Sequence, residues 1–381
     1  MKKPLLLLMI TCLFGCVSKN TNNDIIKIDI TARHSIEQLN LKDIADVEYI
    51  KLGNDSDFIA RSRPLVYSDN YILITGAKSG EILIFNRQGI PIKKFSHFGN
   101  GPHEYNYITN LCIDEKRAEI FVHDVFFQKM FVYNLSGEFI REFASGDGRF
   151  IYNFDDDSFI VYNTITNRID PELKPYFTLI SKIDGHIIKK ITVPFSSDRK
   201  YDLAATKKGS GGNFTYSAVH HPIIRNSDGY TLNELSSDTI YKLSHGLKLT
   251  PFITRTPPIS TMSTPVFLQC GVESSKYIFL TKVSVNENDE QNMFPETNWA
   301  YNKESGEISE YEIINDDYPD AEILSSYIVN CDIQAGYGMS RISAEGLLEA
   351  HKEGKVHGKL KDIATSIKEE DNYIIVLYKF K

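Results

Sequence analysis

Three stretches of the chain repeat one pattern: ILIFNRQGIPIKKF (Ile82–Phe95), MFVYNLSGEFIREF (Met130–Phe143) and FTLISKIDGHIIKKI (Phe177–Ile191). Each stretch begins with an apolar run, turns at a glycine, and has an isoleucine three residues after that glycine. The turn glycines are Gly89, Gly137 and Gly185, so both spacings are 48 residues. Two β-rich runs joined by a short turn that contains glycine predict a β-hairpin. The chain therefore repeats the same hairpin three times.

Two further copies of the hairpin, centred on Gly246 and Gly306, follow at spacings of 61 and 60 residues. Additional β-rich runs lie between the hairpins, so each unit contains enough strands for a small sheet. Units of this size that repeat along a chain are typical of β-propellers, in which neighbouring blades cover one another's faces. The sequence therefore predicts an all-β fold, a six-bladed β-propeller of four-stranded antiparallel blades. Seven blades is the main alternative.

We expect the ring to close with strands from both ends of the chain. The three β-rich runs assigned to the last blade are Asp46–Gly53, Ser325–Ile333 and Asp371–Lys381. If they pair in one sheet, hydrogen bonds between the N-terminal and C-terminal strands close the ring.

Helical periodicity is confined to two places. The apolar side chains of Ala344–His351 and Leu360–Ile367 recur at the i, i+3, i+4, i+7 spacing. This spacing predicts short helices inserted in the last blade, with Ser343 as an N-cap. A shorter helical turn is expected within Ser35–Asp46, and the glycine-rich segment Lys207–Gly212 is interpreted as an insertion loop.

The first residues have the layout of an export signal. Lys2 and Lys3 precede the apolar run Leu5–Ile10, which is too short to span a bilayer. Gly15 and Cys16 resemble a bacterial lipobox, in which processing leaves the cysteine as the lipidated first residue. We therefore predict a lipoprotein signal peptide (1–15), a polar tether (16–24) and a single β-propeller domain (25–381). A secretory signal that is cut elsewhere remains the alternative.

This arrangement predicts an outer-membrane lipoprotein of the cell envelope, facing the periplasm or the cell surface. Its membrane contact would be through the lipid anchor only. The net charge is −8 and no block of basic residues occurs, which argues against a nucleic-acid partner. No motif predicts a cofactor.

Three cysteines follow Cys16: Cys112, Cys270 and Cys331. An odd number cannot pair completely, and all three stand singly in the sequence. Because the neighbours of Cys112 and Cys270 are apolar, we interpret the three as buried thiols, with one disulfide as the alternative.

Four segments resemble a known family: LKDIADVEYIKL (41–52), GNGPHEY (99–105), DTIYKL (238–243) and EEDNYIIVLYKFK (369–381). The family is the six-bladed β-propeller lipoproteins of Bacteroidota, which are related in architecture to NHL-repeat propellers. The chain departs from the family pattern with His103 in place of a glycine and Tyr373 in place of a proline. The resemblance implies the fold and export to the envelope, and it implies little about chemistry.

Candidate binding residues lie in three places. In the segment Ser96–Ile108, two glycines and a proline favour a turn between blades, and the alternative is that His103, Glu104 and Tyr105 contact a ligand at a mouth of the ring. His220 and Arg225 are further candidates, for a binding imidazole and for an anion-binding guanidinium. The acidic run Phe154–Phe159 is interpreted as a β-turn, and no cluster has the spacing of a metal site.

No catalytic signature is present, neither a nucleophile elbow nor a zinc-protease helix nor a dinucleotide fingerprint. The sequence leaves enzyme activity open. The hypothesis that it favours is a binding module for a glycan, a peptide or an envelope protein. The alternatives are a hydrolase or lyase that acts on polysaccharide or peptidoglycan at the ring axis, and a structural component of an outer-membrane complex.

Overall fold

The computed structural model describes the chain from residue 25 to residue 381, with gaps. The gaps are residues 55–56, 147, 149, 164–176, 195–203, 210–211, 219, 287–288, 290–291 and 319–331. The predicted signal peptide, the lipidated Cys16 and the polar tether lie outside the described residues.

The N-terminal half of the chain contributes seventeen of the described strands and one short helix. Strands β1–β3 are Ile26–Asp29, Ile36–Asn40 and Ala45–Lys51, and helix α1 is Leu41–Ile44. Strands β4–β7 are Ala60–Tyr67, Tyr71–Gly76, Glu81–Asn86 and Pro91–Ser96. Strands β8–β11 are Asn110–Asp114, Glu119–Asp124, Lys129–Asn134 and Phe139–Ala144. Strands β12–β15 are Phe150–Asn153, Ser158–Tyr162, Phe177–Ser181 and Ile187–Ile191, and strands β16 and β17 are Ala204–Gly209 and Gly212–Ser217.

The C-terminal half contributes the remaining described elements. Strands β18–β21 are Ile223–Asn226, Gly229–Leu232, Thr239–Ser244 and Leu249–Thr256, followed by a 3₁₀ turn, Ile259–Thr261. Strands β22–β25 are Val266–Glu273, Tyr277–Ser284, Glu296–Asn302 and Ile308–Ile314. Strands β26–β28 are Asp332–Ile333, Tyr337–Ile342 and Ile374–Phe380, and helices α2 and α3 are Ala344–Lys352 and Gly358–Ala364.

These strands form the six blades of a β-propeller, which confirms the predicted fold. Blades 1, 2 and 3 are β4–β7, β8–β11 and β12–β15, and blades 4 and 5 contain β18–β21 and β22–β25. Blade 6 contains β27, β28 and β3 among the described residues. The strands β4–β25 within blades 1 to 5 pair antiparallel with their neighbours. The first strands of neighbouring blades approach one another and surround the axis.

Ring closure occurs between the two ends of the chain, as predicted. Strand β28 pairs antiparallel with β3, from Ile374 opposite Lys51 to Phe380 opposite Ala45. Of the predicted strand Ser325–Ile333, residues 325–331 lie outside the described residues. Its last two residues form β26, which pairs in parallel with β4 of blade 1.

Blades 4 and 5 each carry a fifth strand that the sequence pattern did not predict. Strand β1 pairs in parallel with β21, and β2 pairs in parallel with β25. Because β3 is the outer strand of blade 6, the N-terminal segment runs along the outer edges of three consecutive blades. The segment Ser35–Asp46, predicted as a helical turn, is β2 followed by the single turn α1.

Six hydrophobic clusters fill the six spaces between neighbouring blades. Middle strands are therefore buried on both faces, and all six residues of β9 are buried. Cys112 lies in the core between blades 2 and 3, whereas Cys270 lies between blades 4 and 5, where burial raises the pKa of its thiol. Both are buried as predicted, and Cys331 lies outside the described residues.

The inserted helices are present where the periodicity predicts them. Helices α2 and α3 lie between β27 and β28, and their apolar faces form a separate cluster with Ile374 of blade 6. The hydroxyl oxygen of Ser343 accepts a hydrogen bond from the amide of Gly346 at 3.1 Å, so Ser343 is the N-cap. Of the segment Lys207–Gly212, interpreted as a loop, residues 207–209 and Gly212 instead belong to the paired strands β16 and β17, and residues 210–211 lie outside the described residues.

The turn glycines of blades 1 to 3 pack each of these blades against the blade before it. Gly89, Gly137 and Gly185 have φ values of +78°, +82° and +75°, a conformation that disfavours any side chain. A Cβ atom on Gly185 would also overlap the carbonyl oxygen of Ala144 in blade 2. In the same way, Gly137 lies against Phe95 of blade 1 and Gly89 against the backbone of Lys51 in blade 6.

The isoleucine that follows each glycine lies on a β-bulge. Ile92, Ile140 and Ile188 have no opposite residue in their hairpins, and all three are exposed on the outer strands. The fourth copy differs, because Leu247 rather than Gly246 has the positive φ.

We expect Gly185→Ala to destabilise the protein more than Gly306→Ala does. Both glycines have a positive φ, but the nearest atom to a Cβ on Gly306 is Tyr301 Oη at 3.8 Å. Gly306→Ala should therefore cost about 1 kcal/mol of unfolding free energy from backbone strain alone. Gly185→Ala should cost at least about 1 kcal/mol more, because the Ala144 carbonyl cannot move freely. Urea denaturation measures the difference, and equal losses would contradict the inter-blade contact.

His123 is a buried histidine at the end of β9. Its side chain is 0 % exposed, it lies opposite Met130 of the blade 2–blade 3 core, and neither ring nitrogen has a hydrogen-bond partner in the described part of the chain. Burial lowers the pKa of His123 to about 4, although the charge of Asp124 acts in the opposite direction.

We expect this histidine to weaken the fold as the pH falls from about 6.5 to about 4. In this window the unfolded chain binds a proton on His123 that the folded chain does not bind. The loss of unfolding free energy should reach at most about 3 kcal/mol. Urea denaturation of wild type and His123→Leu at pH 7.5 and 4.5 should show a smaller pH effect in the variant. The exposed His357→Leu serves as the control, and an unchanged pH effect in His123→Leu would refute the assignment.

Candidate functional site

A cavity of about 490 Å³ opens where the first strands of blades 1 to 4 end. Its walls come from the turns that follow β4, β8, β12 and β18, together with Gln334 after β26. We call it the axial cavity. Because these four strands surround the axis, their ends bring residues that are far apart in sequence to a single mouth of the ring.

One wall of the axial cavity is aromatic. The rings of Phe154 and Tyr230 stack with centroids 5.3 Å apart and an interplanar angle of 23°. The exposed imidazole of His245 lies 5.7 Å and 6.1 Å from these two rings. Tyr230 Oη donates a hydrogen bond to the carbonyl oxygen of Asn153, which fastens blade 4 to blade 3.

Arg225, a predicted binding residue, lies in this cavity. Its guanidinium donates to the carbonyl oxygen of Asn153 at 2.8 Å and to Tyr230 Oη at 3.2 Å. The guanidinium also lies 5.7 Å from the centroid of the Tyr230 ring. These contacts position Arg225 against the aromatic wall, and its role as an anion-binding group remains a prediction.

The carboxylates of the cavity accept hydrogen bonds or ion pairs that keep them ionised. Asp114 accepts from Arg117 at 2.7 Å and lies 3.4 Å from the buried ammonium of Lys182. Burial acts to raise the pKa of Asp114, but these contacts outweigh it and the pKa is lowered. For Glu115, hydrogen bonds from Ser68 and Asn70 likewise outweigh burial and lower the pKa.

Asp156, from the turn of blade 3, is a third carboxylate of the cavity that an ion pair keeps ionised. Its contact with Lys116 at 2.5 Å lowers the pKa of the Asp156 carboxyl group. The acidic run Phe154–Phe159 is therefore a β-turn, as interpreted from the sequence, and it also contributes three cavity residues.

The sequence contains a signal for these turns that the hairpin pattern does not reveal. The turns of blades 1, 3 and 4 end in SDNY (Ser68–Tyr71), DDSF (Asp156–Phe159) and SDGY (Ser227–Tyr230). Each has an aspartate, then a small or amide residue, then an aromatic residue at the start of the next strand. Aligning the repeats on these aromatic residues would have grouped the three turns at one mouth of the ring.

The other candidate loop, Ser96–Ile108, connects blade 1 to blade 2, as its composition predicts. The Glu104 carboxylate accepts a hydrogen bond from the Gly101 amide at 2.8 Å within the loop. Tyr105 is fully buried in the blade 1–blade 2 core, and its hydroxyl donates to the carbonyl oxygen of Gly80 at 2.7 Å.

His103 has a φ of +64°, a conformation that glycine adopts more easily than other residues. This explains the glycine at this position in the Bacteroidota family that the chain resembles. Its ring stacks on Phe139 with centroids 3.9 Å apart, and its Nδ1 lies 3.6 Å from the Glu142 carboxylate. All three residues, His103, Glu104 and Tyr105, thus contact blade 1, blade 2 or their connection. A ligand contact by any of them remains a prediction.

His220 is separate from both groups. Its Nε2 lies 2.9 Å from the carbonyl oxygen of Asn233, and its ring contacts Phe150 and Tyr162 of blade 3. His220 precedes β18, whereas Arg225 lies near the end of that strand, about 16 Å further along an extended chain. The five predicted residues therefore occupy three different places, and only Arg225 lines the axial cavity.

Metal clusters and membrane-spanning helices are both absent from the described residues. No group of three or more His, Cys, Asp or Glu side chains in this part of the chain is placed to hold a metal ion. No helix among the described residues is long and apolar enough to cross a bilayer.

Over residues 25–379 the sequence matches a protein family described as Domain of unknown function (DUF4934). The chain belongs to the DUF4934 family. Among solved structures, this DUF4934 chain is similar to a Bacteroides fragilis protein described as exported, with 15% identity, a TM-score of 0.60, and coverage of 94% of this chain and 99% of that one. It is also similar to a DUF4221 member from Bacteroides vulgatus, with 11% identity, coverage of 89% and 97%, and a TM-score of 0.47.

At such low identity, the likeness to the first structure shows the fold alone, and the second carries no argument. A comparison with curated proteins gives no match. For the DUF4934 chain, the resemblance to Bacteroidota propellers is thus supported for the fold. Its lipoprotein and NHL-like parts remain predictions.

We expect Tyr105→Phe to lower the stability of the DUF4934 chain by about 1–3 kcal/mol. The change leaves the buried carbonyl oxygen of Gly80 and the amide of His97 without the hydroxyl that bonds both. Tyr107, two residues along the same loop, is 53 % exposed, so Tyr107→Phe should change stability by less than about 0.5 kcal/mol. Thermal and urea denaturation of both variants measures the contrast, and similar values for the two would refute the stabilising role of the Tyr105 hydroxyl.

Proposed function

We propose that this DUF4934 protein is a lipid-anchored binding module of the cell envelope that holds a glycan in its axial cavity. The observation that carries the proposal is the axial cavity itself, which combines the exposed imidazole of His245 with side-chain amides and ionised carboxylates. Its volume falls within the roughly 300–1,000 Å³ that is usual for ligand pockets.

The chemistry of the walls favours a sugar over an apolar ligand. Sugar rings have apolar faces that pack on aromatic rings and hydroxyl groups that need many hydrogen-bond partners. The exposed imidazole of His245, which lies beside the buried rings of Phe154 and Tyr230, offers the first kind of contact. Asn226, Gln334 and Asp155, which also line the cavity, offer donors and acceptors for the second kind.

The charges of three cavity carboxylates favour binding over glycan hydrolysis. A hydrolase needs a carboxyl group with a raised pKa that donates a proton to the leaving group. The pKa values of Asp114, Glu115 and Asp156 are all lowered by their partners. These three carboxylates accept hydrogen bonds at neutral pH, which suits them for hydroxyl recognition.

The placement in the envelope is supported by the N-terminal residues of the sequence. Residues 1–24 contain the predicted export signal, the lipobox-like Gly15 and Cys16, and the predicted polar tether. The similar Bacteroides fragilis protein is itself described as exported. We infer that an outer-membrane lipid anchor on Cys16 holds the ring at the membrane, facing either the periplasm or the cell surface.

Binding is tested with the full chain in detergent on an array of neutral glycans, followed by calorimetric titration of the best ligand. His245→Ala and Gln334→Ala should each weaken binding about 3- to 10-fold, since each removes one cavity contact. His357→Ala, an exposed histidine at the start of α3 in blade 6, should leave the affinity unchanged.

Chromatography of the bound glycan after prolonged incubation distinguishes binding from turnover. An unchanged glycan supports the binding module, whereas cleavage that His245→Ala abolishes would replace it with the hydrolase or lyase. Binding that both cavity variants leave intact would refute the axial cavity as the site.

A further inference from the structure

The outer edge of blade 3 is more open to solvent than the outer edges of blades 1 and 2. Four consecutive residues of β15, Ile187–Lys190, are exposed, and Ile187 and Ile188 are 55% and 47% exposed. Strand β7 has only two consecutive exposed residues, Ile92 and Lys93. Strand β11 has exposed residues, but no two of them are consecutive. An exposed edge strand offers unpaired backbone donors and acceptors to another strand.

The chain itself shows how such an edge is used in this ring. On blade 4, β1 adds in parallel to β21, pairing with Ile253–Thr256. These four residues directly follow a bulge at Phe252. On blade 3 the bulge is at Ile188, so the residues in the corresponding position are 189–192. Residues 189–192 of blade 3 therefore correspond to the residues of blade 4 that pair with β1. Among the described residues, no strand pairs with the outer edge of blade 3.

The two lysines at this edge also lack ion-pair partners among the described residues. Neither Lys189 nor Lys190 forms an ion pair with any residue that the structure describes. On the equivalent strand of blade 1, Lys94 lies 3.5 Å from the Glu81 and Asp57 carboxylates. On blade 2, Arg141 forms a two-contact ion pair with Glu119. Two unpaired ammonium groups next to exposed isoleucines fit an acidic strand that also carries apolar side chains.

The turn of blade 4 leaves this edge uncovered. The turns at Gly137 and Gly185 press on the outer strands of the preceding blades, at Phe95 and Ala144 respectively. At Gly246 in blade 4, the nearest described atom to a Cβ would be Ser244 Oγ in the same turn. This turn reaches the blade 3–blade 4 core through Leu247 and leaves Ile187–Lys190 exposed.

We propose that β15 is a docking edge for an extended, acidic segment of a partner protein. The segment adds to blade 3 as a fifth, parallel strand, as β1 adds to blade 4. Backbone hydrogen bonds give the affinity, Lys189 and Lys190 select acidic side chains, and Ile187 and Ile188 contact apolar ones. The proposal is independent of the axial cavity and of its ligand.

The probe is an end-blocked, fluorescently labelled peptide of alternating valine and glutamate, compared with its valine–lysine counterpart. The full chain in detergent should bind the glutamate peptide at least 10-fold more tightly. Lys189→Glu/Lys190→Glu should reverse the preference, and binding of the lysine peptide then shows that the variant is folded. Equal binding of both peptides to wild type, or an unchanged preference in the variant, would overturn the proposal.

Hydrogen exchange with the glutamate peptide bound locates the added strand. The amides of Lys189–Ile191 should become protected. The matched control is Lys93–Phe95 of blade 1, where the sequence IKKF corresponds to IKKI of blade 3 but Lys94 is paired. Protection that is absent at Lys189–Ile191, or equal at the two edges, would overturn the assignment to blade 3.

Discussion

The structure depends on the burial of both faces of every blade. A sheet such as blade 2, in which all of β9 is buried, has no face that tolerates water, so it is stable only between two neighbours. An open row of such sheets would leave an apolar face at each end. The pairing of β28 with β3 removes both ends at once, because it builds one blade from the two termini of the chain. All six inter-blade cores, and the axis that they surround, follow from this closure.

A closed ring of sheets buries the apolar faces of the blades, but the backbone groups on the outer edge of each blade still need protection. The chain treats these edges in two ways. The N-terminal segment covers blades 4 and 5 with β1 and β2 and supplies the outer strand of blade 6. Blades 1 to 3 instead have a bulged isoleucine followed by a lysine or arginine on their outer strands. Bulges and basic side chains hinder pairing between copies of the chain, and they leave blade 3 open to a strand of opposite charge.

The axial cavity is a consequence of the same architecture. The first strands of blades 1 to 4 end together around the axis, so the turns that follow them meet at one mouth. Phe154 and Tyr230 also belong to the blade 3–blade 4 core, whereas the exposed side chains of these turns are free to vary in chemistry. In this chain the turns also carry carboxylates whose pKa values are lowered. The loop Ser96–Ile108 has the opposite character, because Tyr105 and Glu104 are engaged in joining blade 1 to blade 2.

The amino-acid sequence alone was enough to predict the repeat, the six-bladed ring, its closure by both termini, the helices inserted in the last blade, and the turn character of Phe154–Phe159 and Ser96–Ile108. These features follow from local patterns: apolar periodicity, the turn glycines, and the N-cap at Ser343. The folded ring was needed to show that Gly137 and Gly185 lie against the preceding blade, that β1 and β2 cover blades 4 and 5, and that Arg225 lies beside Phe154 and Tyr230. It also separated His220 and His103 from Arg225. The physical reason is that these contacts join residues from different blades, and the distance between such residues is determined by the closure of the ring rather than by their spacing along the chain.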